Sequence, residues 1–575
     1  MRRKTAFIIL LLVLSVLLPC AALAASTPST VYLCDGREEE KASGLPIDAI
    51  KPFKASDGSY CFCLPSGTDL SCIRVYLKGG LTGITVNGEK VGNRSVTNAF
   101  HSGTDNAIVI GKTKYRVTVL VSSKIPSVFL NTKTGGLRYL SESKKVTEGG
   151  ELALRDENGM LTYSDAIDYV RLRGNYSFQV DKKSFHIHLK EKIPVFGMKK
   201  AKTWLLLANY ADNALVRDAL AFDLAEGAGM PYTIDYRFCD MYLNNAYYGT
   251  FMLTEKVQTG NNRVNIPDLE EATQNVNSTP LAKSGIKGTN KYKPGTYKYY
   301  DIKKDPEDIS GGYLIQLEMN NRYAGSTAGF VTSCGQAVLI KEPDHPSKAE
   351  TQYIFSLVQS FENAISSPDG IDPDTGKHYS ELADMDSMVS KYLVDEITKN
   401  LDGNKSSFYI YKYTDFVSTK LYFGPVWDYD NSCGNFSSDI YKGITNVPEG
   451  LLTGVRTGAE KQREAYFWFP KLYEHADFRQ AVKKAYRETF RPIILVLLGV
   501  EEPSDSTGRA KSLDDWETLL SDSAAMNFSL WRTLNRVNRD FPINTGATYH
   551  ETVDYVRNFL TARLAYLDSI WLNGD

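Results

Sequence analysis

Asp428 and Asp430 stand two apart at the end of a strand-like run, Lys420 to Val426, and Asn431 follows at once. In extended chain that spacing turns both carboxylates to one side and Tyr429 to the other. Two carboxylates and an amide oxygen suit a hard divalent cation, above all Mg²⁺ with its phosphate ligands. Asp402 lies upstream, after a helical pattern over 386–400 and before a hairpin formed by Phe408 to Tyr413 and Lys420 to Val426. An acid in a loop, a short hairpin and a metal-binding acid is an order that phosphoryl transfer uses. The first acid orients the acceptor hydroxyl and the second holds the metal. Each aspartate also has a plain alternative, a surface carboxylate capping a strand or helix end. A calcium loop through Asp428, Asp430, Ser432 and Asp439 fails at its sharp turn, where Cys433 replaces the required glycine. There is no HExxH pair and no Gly-x-Ser-x-Gly elbow, so hydrolase chemistry has no support.

The elements that would position these residues follow from the hydrophobic pattern. Residues 26 to about 125 read as short strands, such as Ile73 to Leu77 and Tyr115 to Val121, with turns at Gly79-Gly80 and Asn87-Gly88. A small β-sandwich over 25–125 is expected, serving adhesion or spacing. From 126 strands alternate with helices. The segment 212–228 has Asp212 as a cap, Leu215, Ala219 and Phe222 at helical spacing, and Gly229 as a stop. Strands over 234–243 and 247–254 flank an Asn244-Asn245 turn. The polar stretch 271–311 reads as one long loop. Further strands are expected over Gly312 to Glu318 and Gln336 to Lys341. Residues 460–575 read as mostly helical, with Val553, Val556, Leu560, Leu564, Leu567 and Trp571 on one core-facing stripe.

Composition narrows the setting. Sixty-six basic and 68 acidic residues give a net charge of −2, with no global pull toward nucleic acid or anionic membrane. Residues 1–24 read as a cleavable secretory signal. Arg2, Arg3 and Lys4 precede an apolar run from Ala6 to Leu18, and Ala22-Leu23-Ala24 offers the small-x-small cleavage pattern. No later stretch is apolar enough to span a bilayer. A secreted or cell-surface location is therefore expected. Cys34, Cys61, Cys63 and Cys72 cluster near the mature start and could form two disulfides, with connectivity open. Cys239, Cys334 and Cys433 read as small buried residues.

Four stretches, in order, carry a resemblance. They are Arg171-Leu-Arg-Gly-Asn175 with Lys182-Lys-Ser-Phe185; Lys202 to Tyr210 running into Leu215-Val-Arg-Asp-Ala-Leu-Ala221; Asp240 to Asn244 with Tyr248 to Lys256 and Arg263-Val-Asn265; and Gly424-Pro-Val-Trp-Asp-Tyr-Asp430. Over roughly 126–500 the chain resembles the CotH-type kinases, named for a bacterial spore-coat protein. The resemblance implies an α+β fold, a diverged kinase-like domain with a helical carboxy-terminal lobe, on which 501–575 would pack as an extension. It implies ATP-dependent phosphorylation of Ser or Thr, with Mg²⁺ or Mn²⁺ held by Asp428 and Asp430, and Asp402 as the catalytic-loop acid. Arg173-Gly174-Asn175 would turn near the phosphates, where glycine allows close backbone approach.

Two departures leave roles open. His188 stands where the pattern expects a lysine, and Lys183, Lys190, Arg217 or Lys256 could substitute. The position five after Asp402, an asparagine in ordinary kinases, is Ser407; Asn404 or Asn431 could take over as metal ligand. Glu255-Lys256 is either a surface pair or part of an ATP site. Arg217 is either a structural ion-pair partner or a phosphate ligand, and Asn209 is a helix cap or a nucleotide contact. The expected function is an exported Ser/Thr kinase acting on itself or on an exported, coat or cell-surface protein. A catalytically inactive surface scaffold or adhesion protein is the alternative.

Overall fold

A computed structural model of the chain describes residues 27–37, 44–400, 406–435, 445–452, 468–502, 512–537, 541 and 543–573. The signal-peptide segment, Asp402 and Asn404 lie outside these residues. The amino-terminal region consists of two sheets. One has three strands, in the order Val31–Asp35, Ile73–Leu77, Val96–Thr97. The other has six and is centred on Tyr60–Leu64, Thr113–Val121 and Gly103–Ile110. Their shared core includes Val31, Phe62, Val75, Phe100 and Val117. That core does not stop at residue 125: Phe129, Ala153, Tyr242, Tyr247 and Met526 from later elements belong to it.

Cys61, Cys63 and Cys72 form no disulfide among the described residues, which corrects the expected pair of disulfides. Cys61 and Cys63 share one face of a strand with sulfurs 3.9 Å apart, and Cys34 packs as a small apolar residue on Ala49 and Tyr76.

A closed seven-stranded barrel follows. It runs through Ser127–Thr132, Glu148–Arg155, Leu161–Arg173, Ser184–Val195, Met198–Leu207, Ala246–Glu255 and Tyr236–Leu243, and closes by parallel pairing of Ser127 with Asp240. Strict alternation explains its two faces. Val170, Leu172, Phe185, Ile187 and Leu189 fill the interior. Tyr169, Arg171, Arg173, His186 and His188, at the intervening positions, face outward. The hairpin Tyr236–Leu243 and Ala246–Glu255 turns at Asn244 and Asn245, both at positive φ (50° and 62°), as an Asn-Asn pair permits.

The helix Arg217–Gly227 and a second, antiparallel seven-stranded sheet complete the site's frame. Ala337–Glu342, Tyr313–Glu318, Phe408–Lys412 and Leu421–Phe423 are consecutive strands of that sheet, with Leu421–Phe423 at its edge. One continuous core joins barrel residues Leu205, Phe238 and Met252 to the helix, this sheet and the carboxy-terminal helices. The expected stripe on the last helix, Tyr549–Leu567, is core: Val553, Val556, Leu560 and Leu567 are buried.

Residues 271–311 differ from the expected loop. They hold the end of the helix Leu269–Val276 and the strands Ile286–Gly288 and Thr296–Tyr300. Asp268 caps the helix by accepting from Glu271 N at 2.8 Å, and buried Lys298 Nζ donates to the Ser326 carbonyl at 2.9 Å. Polar anchors of this kind carry no hydrophobic period, so the pattern missed them.

Candidate active site

The helix Met385–Thr398 ends at Lys399 in the left-handed region and delivers the chain to Asn400. The chain re-emerges at Ser406 and enters the strand Phe408–Lys412; the hairpin returns through Leu421–Phe423 to Trp427 and Asp428. Ser407 and Asp428 both sit at positive φ, 58° and 71°. They hydrogen-bond each other, Ser407 Oγ donating to Asp428 Oδ2 at 2.9 Å. Non-glycine residues in this region cost energy and gather at functional sites. The left-handed Asp428 corrects the expectation of extended chain there. The outcome for side chains is nevertheless alternating: Asp428 is exposed, Tyr429 buried and Asp430 half-buried.

Tyr429 is pinned at both ends. Its backbone N–H donates to Asp218 Oδ1 at 2.6 Å, and its hydroxyl donates to Asp395 Oδ1 at 2.6 Å, with Lys391 paired to the same Asp395 carboxylate. Asp428 is thereby held between a fixed tyrosine and Ser407. Burial first, then the Asp428 carboxylate, pushes Asp218 up to about 7. A divalent cation at Asp428 would offset the second of these causes, the repulsion from the Asp428 carboxylate. Asn400 Oδ1, buried and without a donor, lies beside this loop, its Nδ2 reaching the Asp428 carbonyl at 3.5 Å. Among the described residues no cluster of three His, Cys, Asp or Glu forms a metal site. The oxygen donors brought together here are the Asp428 carboxylate and the Ser407 hydroxyl bonded to it. Oxygen-only donors of this kind fit Mg²⁺ or Mn²⁺.

Opposite these acids the outer barrel face supplies positive charge. Arg173 lies with its guanidinium 5.5 Å from the centre of the Trp427 ring, which stacks on Phe222 of the helix Arg217–Gly227. Burial lowers the Arg173 pKa, and Asp428 and Asp218 partly offset that. Arg171, Arg173, His186 and Lys256 share one electrostatic neighbourhood. Tyr409, beside Asp428 and Arg173, is pushed up by burial and by the Asp428 charge. Gly174 sits at φ +85°, and a Cβ there would fall 2.0 Å from Ser177 Oγ, so the turn after Arg173 requires glycine.

The other expected site residues are placed as follows. Asn175 is exposed and accepts from Lys144 Nζ at 2.6 Å. Lys183 Nζ turns back to the Phe178 carbonyl at 2.8 Å, away from the cationic group. Arg217 is fully buried, pairs with Asp212, and donates to the Ser432 carbonyl at 2.9 Å. It ties the helix start to the loop after Asp428 and leaves no edge for phosphate. Asn209 Nδ2 donates to the Leu215 carbonyl at 2.9 Å, and its Oδ1 is buried without a donor; it braces the same turn. Glu255 is paired with Arg263, whose guanidinium lies 5.4 Å from the centre of the Trp204 ring. Asn431 is half-buried in the loop after Asp430.

Of the expected set, then, Arg173 lies near Asp428, and Lys256 shares its cationic neighbourhood around His186. Ser407, Arg171, His186 and Asp218 join them and were not assigned from sequence. Ser407 had a signal, its position five after Asp402. Arg171 and His186 had a weaker one, the outward phase of two adjacent strands.

A cavity of about 210 Å³, lined by Met230, Tyr232, Ile234, Val257 and Pro425, opens beside Lys256. A larger cleft of about 890 Å³, between Tyr163, Phe196, Tyr236 and Trp516, shares no residue with the site.

The sequence model of the family described as CotH kinase protein matches residues 170–567. That span holds both faces of the site, and the chain belongs to this family. A search of curated proteins finds no match. Membership in a kinase family implies use of ATP.

Proposed function

From membership in the CotH kinase family, we propose that this chain is an exported ATP-dependent Ser/Thr protein kinase, phosphorylating itself or another exported, coat or cell-surface protein. The observation that carries the reading is the Ser407–Asp428 pair, both residues at positive φ and hydrogen-bonded, with Arg173 close enough to feel the Asp428 charge. Phosphoryl transfer asks the protein for positioning and charge neutralisation more than for covalent chemistry. Arg173 and Lys256 would hold phosphate oxygens, and the glycine turn at Gly174 would cover them. Mg²⁺ or Mn²⁺ on Asp428, with Asp430, would neutralise charge on the transferring group. Asp402 would orient the acceptor hydroxyl and take its proton as the new P–O bond forms and the bond to ADP breaks. Export is supported by Arg2, Arg3 and Lys4, the apolar run after them and Ala22-Leu23-Ala24. Among the described residues no helix is long and apolar enough to cross a membrane.

One observation favours the scaffold reading: the expected lysine position is His188, whose Nδ1 lies 3.1 Å from Thr203 Oγ1. Incubation with γ-labelled ATP and Mg²⁺ or Mn²⁺ separates the two. Label on protein from the wild type but not from Asp428→Ala supports the kinase, and no label with no nucleotide binding supports the scaffold.

A further inference from the structure

His186 is 5% exposed, and its Nδ1 lies 3.1 Å from Arg171 Nη2. A guanidinium does not give up its protons, so it is the donor and the imidazole lone pair is the acceptor. The contact therefore fixes a neutral ring with its proton on Nε2, 3.5 Å from the Tyr169 hydroxyl. The ring also stacks on Tyr169, at 5.7 Å and 15°. The groups that dominate its surroundings are basic. Arg171 and Arg173 come from the strand Leu161–Arg173, Lys256 from the end of the neighbouring hairpin, and His188 from its own strand. Further out, Asp168 faces His188 at 3.9 Å, and Glu342, Asp344 and Lys341 act on Lys256. Burial and these cations drive the His186 pKa down to about 3.

We infer that a nucleoside triphosphate bound at this outer barrel face is held by Arg171 and by a protonated His186, so that binding takes up one proton from solvent. This rests on the kinase reading above. When Arg171 turns from the imidazole to a phosphate oxygen, it frees the Nδ1 lone pair. The phosphates also offset the charges of Arg173 and Lys256, which had opposed a further positive charge. A solvent proton then binds Nδ1, and the imidazolium offers a charge-assisted N–H to the phosphate chain. No bond of the nucleotide changes in this step. The strand thus recovers, at residue 186, the cation that His188 does not supply as a lysine would.

Calorimetric titration of the full chain with a non-hydrolysable ATP analogue and Mg²⁺ tests this, run from pH 8 to pH 6 in two buffers of different protonation enthalpy. Uptake approaching one proton is expected, with affinity rising by up to about tenfold per pH unit as pH falls. In His186→Asn, whose amide oxygen still accepts from Arg171, the proton uptake and most of the pH slope should vanish. Binding without buffer dependence, or uptake unchanged in His186→Asn, overturns the inference and leaves the kinase reading standing. No binding at any pH sinks both. The wild-type buffer comparison decides alone if the variant does not fold.

Discussion

At the scale of single residues, the site depends on backbone positions that few side chains tolerate. Ser407 holds φ +58° while presenting its hydroxyl to Asp428. Asparagine occupies this region readily, whereas a β-branched residue does not. Ser407→Asn should therefore fold normally and keep its label transfer, because the amide can meet Asp428 as the hydroxyl does. Ser407→Ala should retain the fold and lose activity by about 10²-fold, the order of effect that misplacement by an ångström produces. Ser407→Val should also cost stability, by about 1–3 kcal/mol, read from denaturant unfolding. Wild-type activity in Ser407→Ala would separate the pair from catalysis. Spacing drew attention to Asp428 and Asp430, but through an extended chain that the left-handed Asp428 replaces. The fixed tyrosine between them was not legible, because its partners Asp218 and Asp395 are 211 and 34 residues away in sequence.

At the scale of elements, buried ionisable groups lock the frame that carries these residues. Lys182 lies in the loop between the strands Leu161–Arg173 and Ser184–Val195. Its ammonium donates to Asn527 Oδ1 at 2.9 Å and to the Thr250 carbonyl, joining the barrel to the helix Leu513–Trp531. Lys182→Met should destabilise by about 1–3 kcal/mol, since it strands buried acceptors; an unchanged unfolding midpoint would refute that clamp.

Glu350 closes the capping box of the helix Lys348–Ser366 and accepts from Thr273. Burial raises its pKa from 4.5 to about 7. The folded state thus holds this proton more tightly than the unfolded chain. The stabilisation is complete below pH 4.5 and is lost as pH rises through about 7. Glu350→Gln, which cannot ionise, should gain on wild type in melting temperature between pH 5 and pH 8; a constant difference would contradict the assignment. Helices and hairpins were readable because apolar period and Asn-Asn turns act locally. The barrel's closure was not, since it rests on pairing between strands 113 residues apart, Ser127 with Asp240. The ordered 271–311 region hangs on single polar anchors that leave no period.

At the scale of the whole molecule, the amino-terminal sandwich is not an independent appendage. Phe129, Tyr242 and Tyr247 of the barrel and Met526 of the helix Leu513–Trp531 lie in its core. Ser122 and Ser523 hydroxyls meet at 2.9 Å, and Ser523 donates to buried Asp240 at 2.7 Å. A chain beginning at residue 126 should expose that apolar face and self-associate, measured by size exclusion with light scattering; a well-behaved monomer would show the sandwich to be dispensable. This three-way junction joins regions that hydrophobic pattern divided at 125 and 500, because composition shifts mark linkers but not shared cores. The proposal on which the rest depends is phosphoryl transfer at Asp428. The most direct measurement is phosphate transfer from γ-labelled ATP by the full chain, with Asp428→Asn matched for melting temperature. Label on protein from the wild type and a loss of at least about 10²-fold in the variant are expected. Equal labelling by both proteins would contradict the proposal.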